Sequence, residues 1–147
     1  MVRAMGIQKD SLGFLLADVG RLMRQAFQKN IEGENCLTLA QARALVYLSR
    51  QEGIRQVELA ETLEVQPITL ARLIDQLVQH GLVERRPDPT DRRAYRLFMT
   101  PNAEPHIAAI KQVAAANYRV ALKGIDKAQA DTLMLVLAKM RDNLAAR

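Results

Sequence analysis

The chain has 147 residues, with 21 Lys+Arg against 16 Asp+Glu, a formal charge of +5 and a pI near 9.7. Hydrophobic residues make up 49% and charged residues 25%, a globular balance, and the single Cys36 cannot close an intramolecular disulfide. These figures exclude membrane, fibrous and disulfide-scaffold classes, the longest unbroken apolar run being the six residues from Leu133 to Ala138.

Met1 to Asp10 carries no apolar h-region and Asp18 interrupts the next apolar stretch, so no secretory signal is expected and the setting is a reducing cytoplasm. Leu12, Leu15, Leu16, Val19, Met23, Phe27 and Ile31 recur at spacings of three and four, one face of a long helix ended by Gly33 and Asn35. Thr38-Leu39-Ala40-Gln41 is a capping box opening a second helix, with Ala42, Leu45, Val46 and Leu48 inward and Gly53 closing it. A short helix is predicted from Gln56 to Leu63, with Val57, Leu59, Ala60 and Leu63 inward. Pro67 then stands at a first helical position, and that helix runs to His80 before Gly81 stops it. Its apolar face is Leu70, Leu73, Ile74, Leu77 and Val78. Two helices joined in this way make a helix-turn-helix.

Leu82 to Arg86 and Tyr95 to Met99 read as strands, joined by a loop of turn formers and cations. The pair is a β-hairpin with a charged tip, a wing. Thr100-Pro101 opens a further helix to about Lys123, with Pro105 in its first turn and Gly124 breaking it. Asp126-Lys127-Ala128-Gln129 caps a last helix that lines up Leu133, Val136, Leu137, Met140 and Leu144. The fold expected is mainly α with a small β-hairpin wing, a winged helix-turn-helix flanked by N- and C-terminal dimerisation helices. One domain over 1–147 is expected, with the winged helix-turn-helix, the expected DNA-binding part, over 37–100 and the dimerisation helices over 11–33 and 101–147. The long outer stripes have little else in the chain to cover them, which predicts a homodimer.

Charge placement says more than net charge. Residues 43 to 96 hold nine arginines and no lysine, together with eight acidic residues. Arginine's planar fork suits phosphate oxygens and guanine edges. Opposite the core face of the second helix of the pair lie Gln66, Pro67, Thr69, Arg72 and Gln76. Arg72 is the residue expected on a base edge, with Gln66 and Thr69 near the helix start for phosphate or a second base. A salt bridge to Asp75, three residues on, is the competing reading for Arg72. At the wing, Asp91 stands among Arg92 and Arg93, where a carboxylate can hold one guanidinium extended while the other reaches a minor groove.

Arg55-Gln56-Val57-Glu58-Leu59-Ala60 and the run from Ile68 to Leu77 resemble the MarR family, as do Gly81-Leu82-Val83-Glu84-Arg85-Arg86 and Asp88-Pro89-Thr90-Asp91-Arg92-Arg93. Gln66-Pro67, Asp75-Gln76-Leu77 and Ala103-Glu104-Pro105 look most like its SlyA branch. The resemblance implies a dimeric winged-helix transcription regulator on palindromic double-stranded operators, often a repressor released by a small aromatic, phenolic or otherwise anionic effector. It also implies Arg72 on the recognition helix and Asp91 and Arg93 in the wing motif. Glu64 departs from it, standing where the family's turn often has glycine, so a slightly different turn geometry is expected.

Cys36 falls in the loop after the first helix with no basic neighbour in sequence, the setting of a packed or tolerated thiol rather than an oxidant sensor. His80 and His106 lack the partners of a zinc site, and His80 is expected at a helix C-terminus near free carbonyls. No cofactor, metal site or catalytic residue is expected, and no enzyme motif is visible. A winged-helix module for protein docking or dimerisation, without specific DNA binding, stays open as the alternative.

Overall fold

The computed structural model describes residues 10–31 and 37–147. Its elements run α1 (Leu12–Ile31), α2 (Leu39–Arg50), α3 (Gln56–Leu63), α4 (Pro67–Gln79), β1 (Val83–Pro87), β2 (Tyr95–Met99), a 3-10 turn (Pro101–Ala103), α5 (Glu104–Ala121) and α6 (Lys127–Ala145). This is the mainly helical winged helix-turn-helix expected from the sequence. The ends proposed for the first helix, Gly33 and Asn35, and Cys36 lie outside the described residues.

The core sits where α2, α3 and α4 meet the hairpin. Leu45, Leu48, Leu59, Leu70, Ile74, Leu77 and Leu97 are completely buried there, and each such side chain contributes about 1.5–3 kcal/mol by leaving water. The Thr38 hydroxyl accepts the Gln41 N–H at 3.2 Å while the Gln41 side chain accepts the Thr38 N–H at 3.0 Å, the capping box anticipated for α2. Asp126 and Gln129 make the same reciprocal pair ahead of α6.

Strand β1 pairs antiparallel with β2 in the register Val83–Met99 to Pro87–Tyr95. The first strand starts one residue later than the sequence suggests, because Leu82 still belongs to the end of α4. Its N–H goes to the Leu77 carbonyl at 2.9 Å and the Gly81 N–H to Val78 at 2.9 Å, with Gly81 at φ +72. Residues before α3 add a third edge, since Gly53 and Ile54 exchange hydrogen bonds with Leu97 at 2.8 and 3.0 Å.

Three other expectations are corrected. Val57 is exposed, because Leu59, Ala60 and Leu63 already define the inward arc of the two-turn α3. Val78, at the rim of α4's apolar face, is exposed as well. The helix predicted from Thr100-Pro101 begins as a 3-10 turn, and α5 proper starts at Glu104 and ends at Ala121. Thr100 makes no cap bond; its hydroxyl donates to the Gly81 carbonyl and ties the 3-10 turn to the end of α4.

The outer helices keep their apolar faces open. Helix α6 has no buried residue, and Leu133, Val136 and Leu144 are exposed. Leu12, Leu15, Leu16, Val19 and Leu22 on α1 and Val120 on α5 are also exposed, although α1 and α5 pack against each other through their inner faces.

Candidate nucleic-acid interface

Helix α4 starts at Gln66, an extended N-cap (φ −63, ψ 144) without a side-chain cap bond, followed by Pro67 at the first helical position. Thr69, Arg72 and Gln76 follow at spacings of three and four, on the face turned away from the buried Leu70, Ile74 and Leu77. All five predicted residues are exposed. Among the described residues Gln76 differs from the others in having a side-chain partner: its Oε1 accepts Gln41 Nε2 at 2.7 Å.

Most arginines of the central stretch are committed within the protein. Arg85 on β1 donates to Gln56 Oε1 at 2.9 Å and the Ala71 carbonyl at 3.2 Å, and pairs with Asp75 at 2.7 Å, strapping α3, α4 and β1 together. Arg86 pairs with Glu84 and lies 3.9 Å over the Phe98 ring. Arg55 and Arg96 converge on Asp88, at 2.8 and 3.0 Å. Arg43 and Arg50 flank the Tyr47 ring at 6.0 and 5.7 Å. Among the described residues, Arg72, Arg92 and Arg93 form no salt bridge and no side-chain hydrogen bond, and all three are exposed. The competing reading of Arg72 as Asp75's partner is therefore corrected, since Arg85 takes that carboxylate.

The wing is organised by Asp88 rather than by Asp91. The Asp88 side chain is fully buried and accepts the Thr90 hydroxyl at 2.7 Å, the Thr90 N–H at 2.8 Å and both guanidinium groups. The hydroxyl and N–H of Thr90 hold its carboxyl well below the ordinary carboxylate range, against the opposing effect of burial, and Arg55 adds to the lowering. Arg96 also donates to the Gly53 carbonyl at 2.9 Å, so the base of the wing is bolted to the segment that enters α3. Asp91 was expected to hold a guanidinium; instead its Oδ1 accepts the Arg93 backbone N–H at 3.0 Å. That contact fixes the tip by a local Asx turn and leaves the side chains of Arg92 and Arg93 pointing into solvent.

Sequence reasoning missed Asp88, Arg55, Arg96 and Gln41 as positioning residues. The Asp88-Pro89-Thr90 run does carry an Asx-turn signal, an acid with a donor two residues later. Nothing local signals that Arg55, 33 residues earlier, closes on the same carboxylate.

Helices α1, α2 and α5 form a mostly apolar cleft of about 210 Å³, whose lining includes Met23, Phe27, Val46 and Ile110 together with Arg24, Arg43, Tyr47 and Tyr118. Asn117 also lines it, its side chain accepting from Asn30 Nδ2 at 2.9 Å.

Residues 37–95, from the start of the α2 cap to the second strand of the wing, match the MarR family model. Over these residues the winged helix is similar to MarR-family domains. The likeness to solved MarR structures extends over nearly all of the chain. A MarR transcriptional regulator from Methanosarcina mazei Go1 is 28% identical, with 92% of this chain and 96% of that one covered and a TM-score of 0.81. A second MarR structure is 27% identical over 96% of both chains, with a TM-score of 0.83. A cysteine-to-serine variant of E. coli MarR complexed with operator DNA is 26% identical, with 88% of this chain and 92% of that one covered and a TM-score of 0.70. None of the helices described is long and apolar enough to cross a membrane.

Proposed function

We propose that this MarR-type protein is a ligand-responsive, sequence-specific DNA-binding repressor of transcription, of the SlyA-like branch, acting as a cytoplasmic homodimer on a pseudo-palindromic operator. The observation that carries the reading is the division of labour among the arginines. Those at 55, 85, 86 and 96 bind within the protein, whereas Arg72 on α4 and Arg92 and Arg93 at the wing tip have no internal partner among the described residues. Holding three guanidinium groups exposed on a helix face and a hairpin tip matches what a major groove and an adjacent minor groove require. The operator complex of the E. coli relative supports the same use of the fold.

In this reading residues 37–100 read DNA, and 11–33 and 101–147 pair the chain with a second copy over the open stripes of α1, α5 and α6. A dimer places two α4 helices on half-sites about one helical turn apart. The effector is a small aromatic or phenolic anion. The cleft between α1, α2 and α5 supports that class, with three aromatic side chains and two arginines in its lining. Filling it changes how the pairing helices join the reading unit, and hence the spacing of the two α4 helices.

The test is a gel shift with the DNA upstream of the protein's own gene, repeated across salt concentrations and with a panel of small aromatic acids. A shift that weakens steeply with salt, and is reversed by one of the acids, is the expected result. Ligand and DNA must weaken each other by the same factor, so equal ligand affinity for free and operator-bound protein removes the allosteric part. No shift at low salt moves the reading to a protein-docking module.

A further inference from the structure

The hydrogen bonds that end on Gln76 fix which of its amide atoms leads outward. Gln41 is 5% exposed, in the first turn of α2. Its Oε1 accepts the Thr38 backbone N–H at 3.0 Å. A backbone N–H only donates, so the partner assigns that atom as oxygen and makes Nε2 the atom facing Gln76. Gln41 Nε2 donates to Gln76 Oε1 at 2.7 Å. The Gln76 oxygen is therefore turned towards α2, and its NH2 group has no hydrogen-bond partner among the described residues. A helix cap thus sets the polarity of a side chain on α4.

We propose that Gln76 is a donor-led base reader whose polarity is set by Gln41, so that each α4 selects a base with an acceptor edge, guanine O6/N7 or thymine O4, opposite Gln76. The inference rests on the DNA-binding reading given above. An unclamped glutamine favours adenine, whose N6 and N7 match one amide acceptor and one donor. Turning the oxygen towards α2 removes that match and leaves two N–H groups for the groove. Gln41 is then a positioning residue, acting on DNA only through Gln76.

A single substitution reverses the polarity. In Gln41→Glu the carboxylate still accepts from Thr38, and Thr-x-x-Glu is itself a standard capping box with a favourable charge at a helix start, so α2 is retained. The carboxylate has no donor to offer, so Gln76 turns its NH2 inward and leads with its oxygen. The preferred edge becomes a donor, adenine N6 or cytosine N4. Gln41→Met removes the clamp without adding charge and frees Gln76 to take either orientation.

The experiment is selection of bound duplexes from a randomised pool by the full-length wild type, Gln41→Glu, Gln41→Met and Gln76→Ala. One position per half-site is expected to favour guanine or thymine in the wild type by about fivefold or more, near the low end for a good side-chain–base pair. That preference is lost in Gln76→Ala, relaxed in Gln41→Met and reversed to adenine or cytosine in Gln41→Glu. An unchanged preference in Gln41→Glu, or adenine opposite Gln76 in the wild type, overturns the proposal. Side-chain amide proton exchange, measured by NMR without DNA, tests the clamp alone: the Gln41 NH2 should exchange more slowly than that of Gln76, and the reverse order overturns the assignment. A wild type that enriches no sequence overturns the DNA reading together with this inference, whatever the exchange rates show.

Discussion

Arg85 holds Asp75 at 2.7 Å, and by doing so it releases Arg72. Asp75 is the carboxylate that a three-residue helical spacing offers to Arg72, yet the strand arginine reaches it from β1 while also binding Gln56 and Ala71. The consequence is a separation of roles between two arginines that look alike in sequence. Replacing Arg72 by Ala is expected to cost about 1–3 kcal/mol of discrimination at one base position. The folding stability of that variant should stay within about 0.5 kcal/mol of the wild type. Arg85→Met should do the opposite in the first instance and lower the melting temperature. Operator affinities against single-base variants, measured beside thermal melts, separate the two; an Arg72→Ala protein that discriminates as well as the wild type removes Arg72 from the base edge.

The wing tip makes a different prediction. Arg92 and Arg93 are exposed on a turn fixed by Asp91 through the backbone, a placement that suits phosphates or a narrow minor groove more than a base code. Arg93→Ala should therefore weaken binding to specific and non-specific duplexes alike. The slope of log K against log salt should fall by about one per contact removed per chain. Loss of affinity for one sequence only, with an unchanged slope, would place Arg93 on a base instead.

Much of this architecture is legible in the sequence because its signals are local. Thr38-x-x-Gln41, Asp126-x-x-Gln129, Pro67 and Gly81 each act within one helical turn, and each marks a boundary within a residue or so of where it falls. The outward residues of α4 were readable for the same reason, since a helix of strong periodicity has one face left over. What was not readable is long-range. Asp88 gathers Arg55 and Arg96 from 33 residues before it and 8 after it, and Arg85 takes Asp75 from another element. Asp91 stood beside two arginines and attracted the role that Asp88 performs, because sequence proximity cannot show that the turn sends those guanidinium groups outward.

Asp88 also gives the wing a pH signature. Its carboxyl titrates below the ordinary carboxylate range, held there chiefly by Thr90. A folded-state value below the unfolded one means that the ionised form stabilises the fold at pH above the ordinary value of about 4, and that this contribution is lost as pH falls through the lowered folded value. Asp88→Asn removes the charge that Arg55 and Arg96 share. It should lower the melting temperature at pH 7 and flatten the fall in stability below about pH 4 relative to the wild type. Melting curves from pH 7 to pH 3 check both; parallel pH profiles for the two proteins would take Asp88 out of the wing's stability.

The turn between α3 and α4 carries its own test, with an internal control. Both helices end in the same reciprocal pattern: Glu64 N–H to Glu61 and Val65 N–H to Ala60, each at 3.1 Å, and Gly81 N–H to Val78 and Leu82 N–H to Leu77, each at 2.9 Å. The residue at the left-handed position is Gly81 (φ +72) in one and Glu64 (φ +55) in the other. Glu64 therefore does not alter the turn, as its side chain suggested; it adopts the glycine conformation and bears the strain, which for an L-residue is of the order of 1–2 kcal/mol. Its side chain is exposed and makes no hydrogen bond among the described residues, so little is lost by removing it. Glu64→Gly should gain up to about 1 kcal/mol after the extra unfolded-state entropy of glycine, a rise of roughly 2–4 °C in melting temperature. Gly81→Ala should lose a comparable amount by the reverse argument. A Cβ there would stand 3.8 Å from Asn102 Nδ2, an ordinary contact, so the cost comes from the backbone angle and not from a clash. Calorimetry of the two variants decides it: a Glu64→Gly protein that melts below the wild type would show that the glutamate conformation at this turn is compensated by contacts of its own.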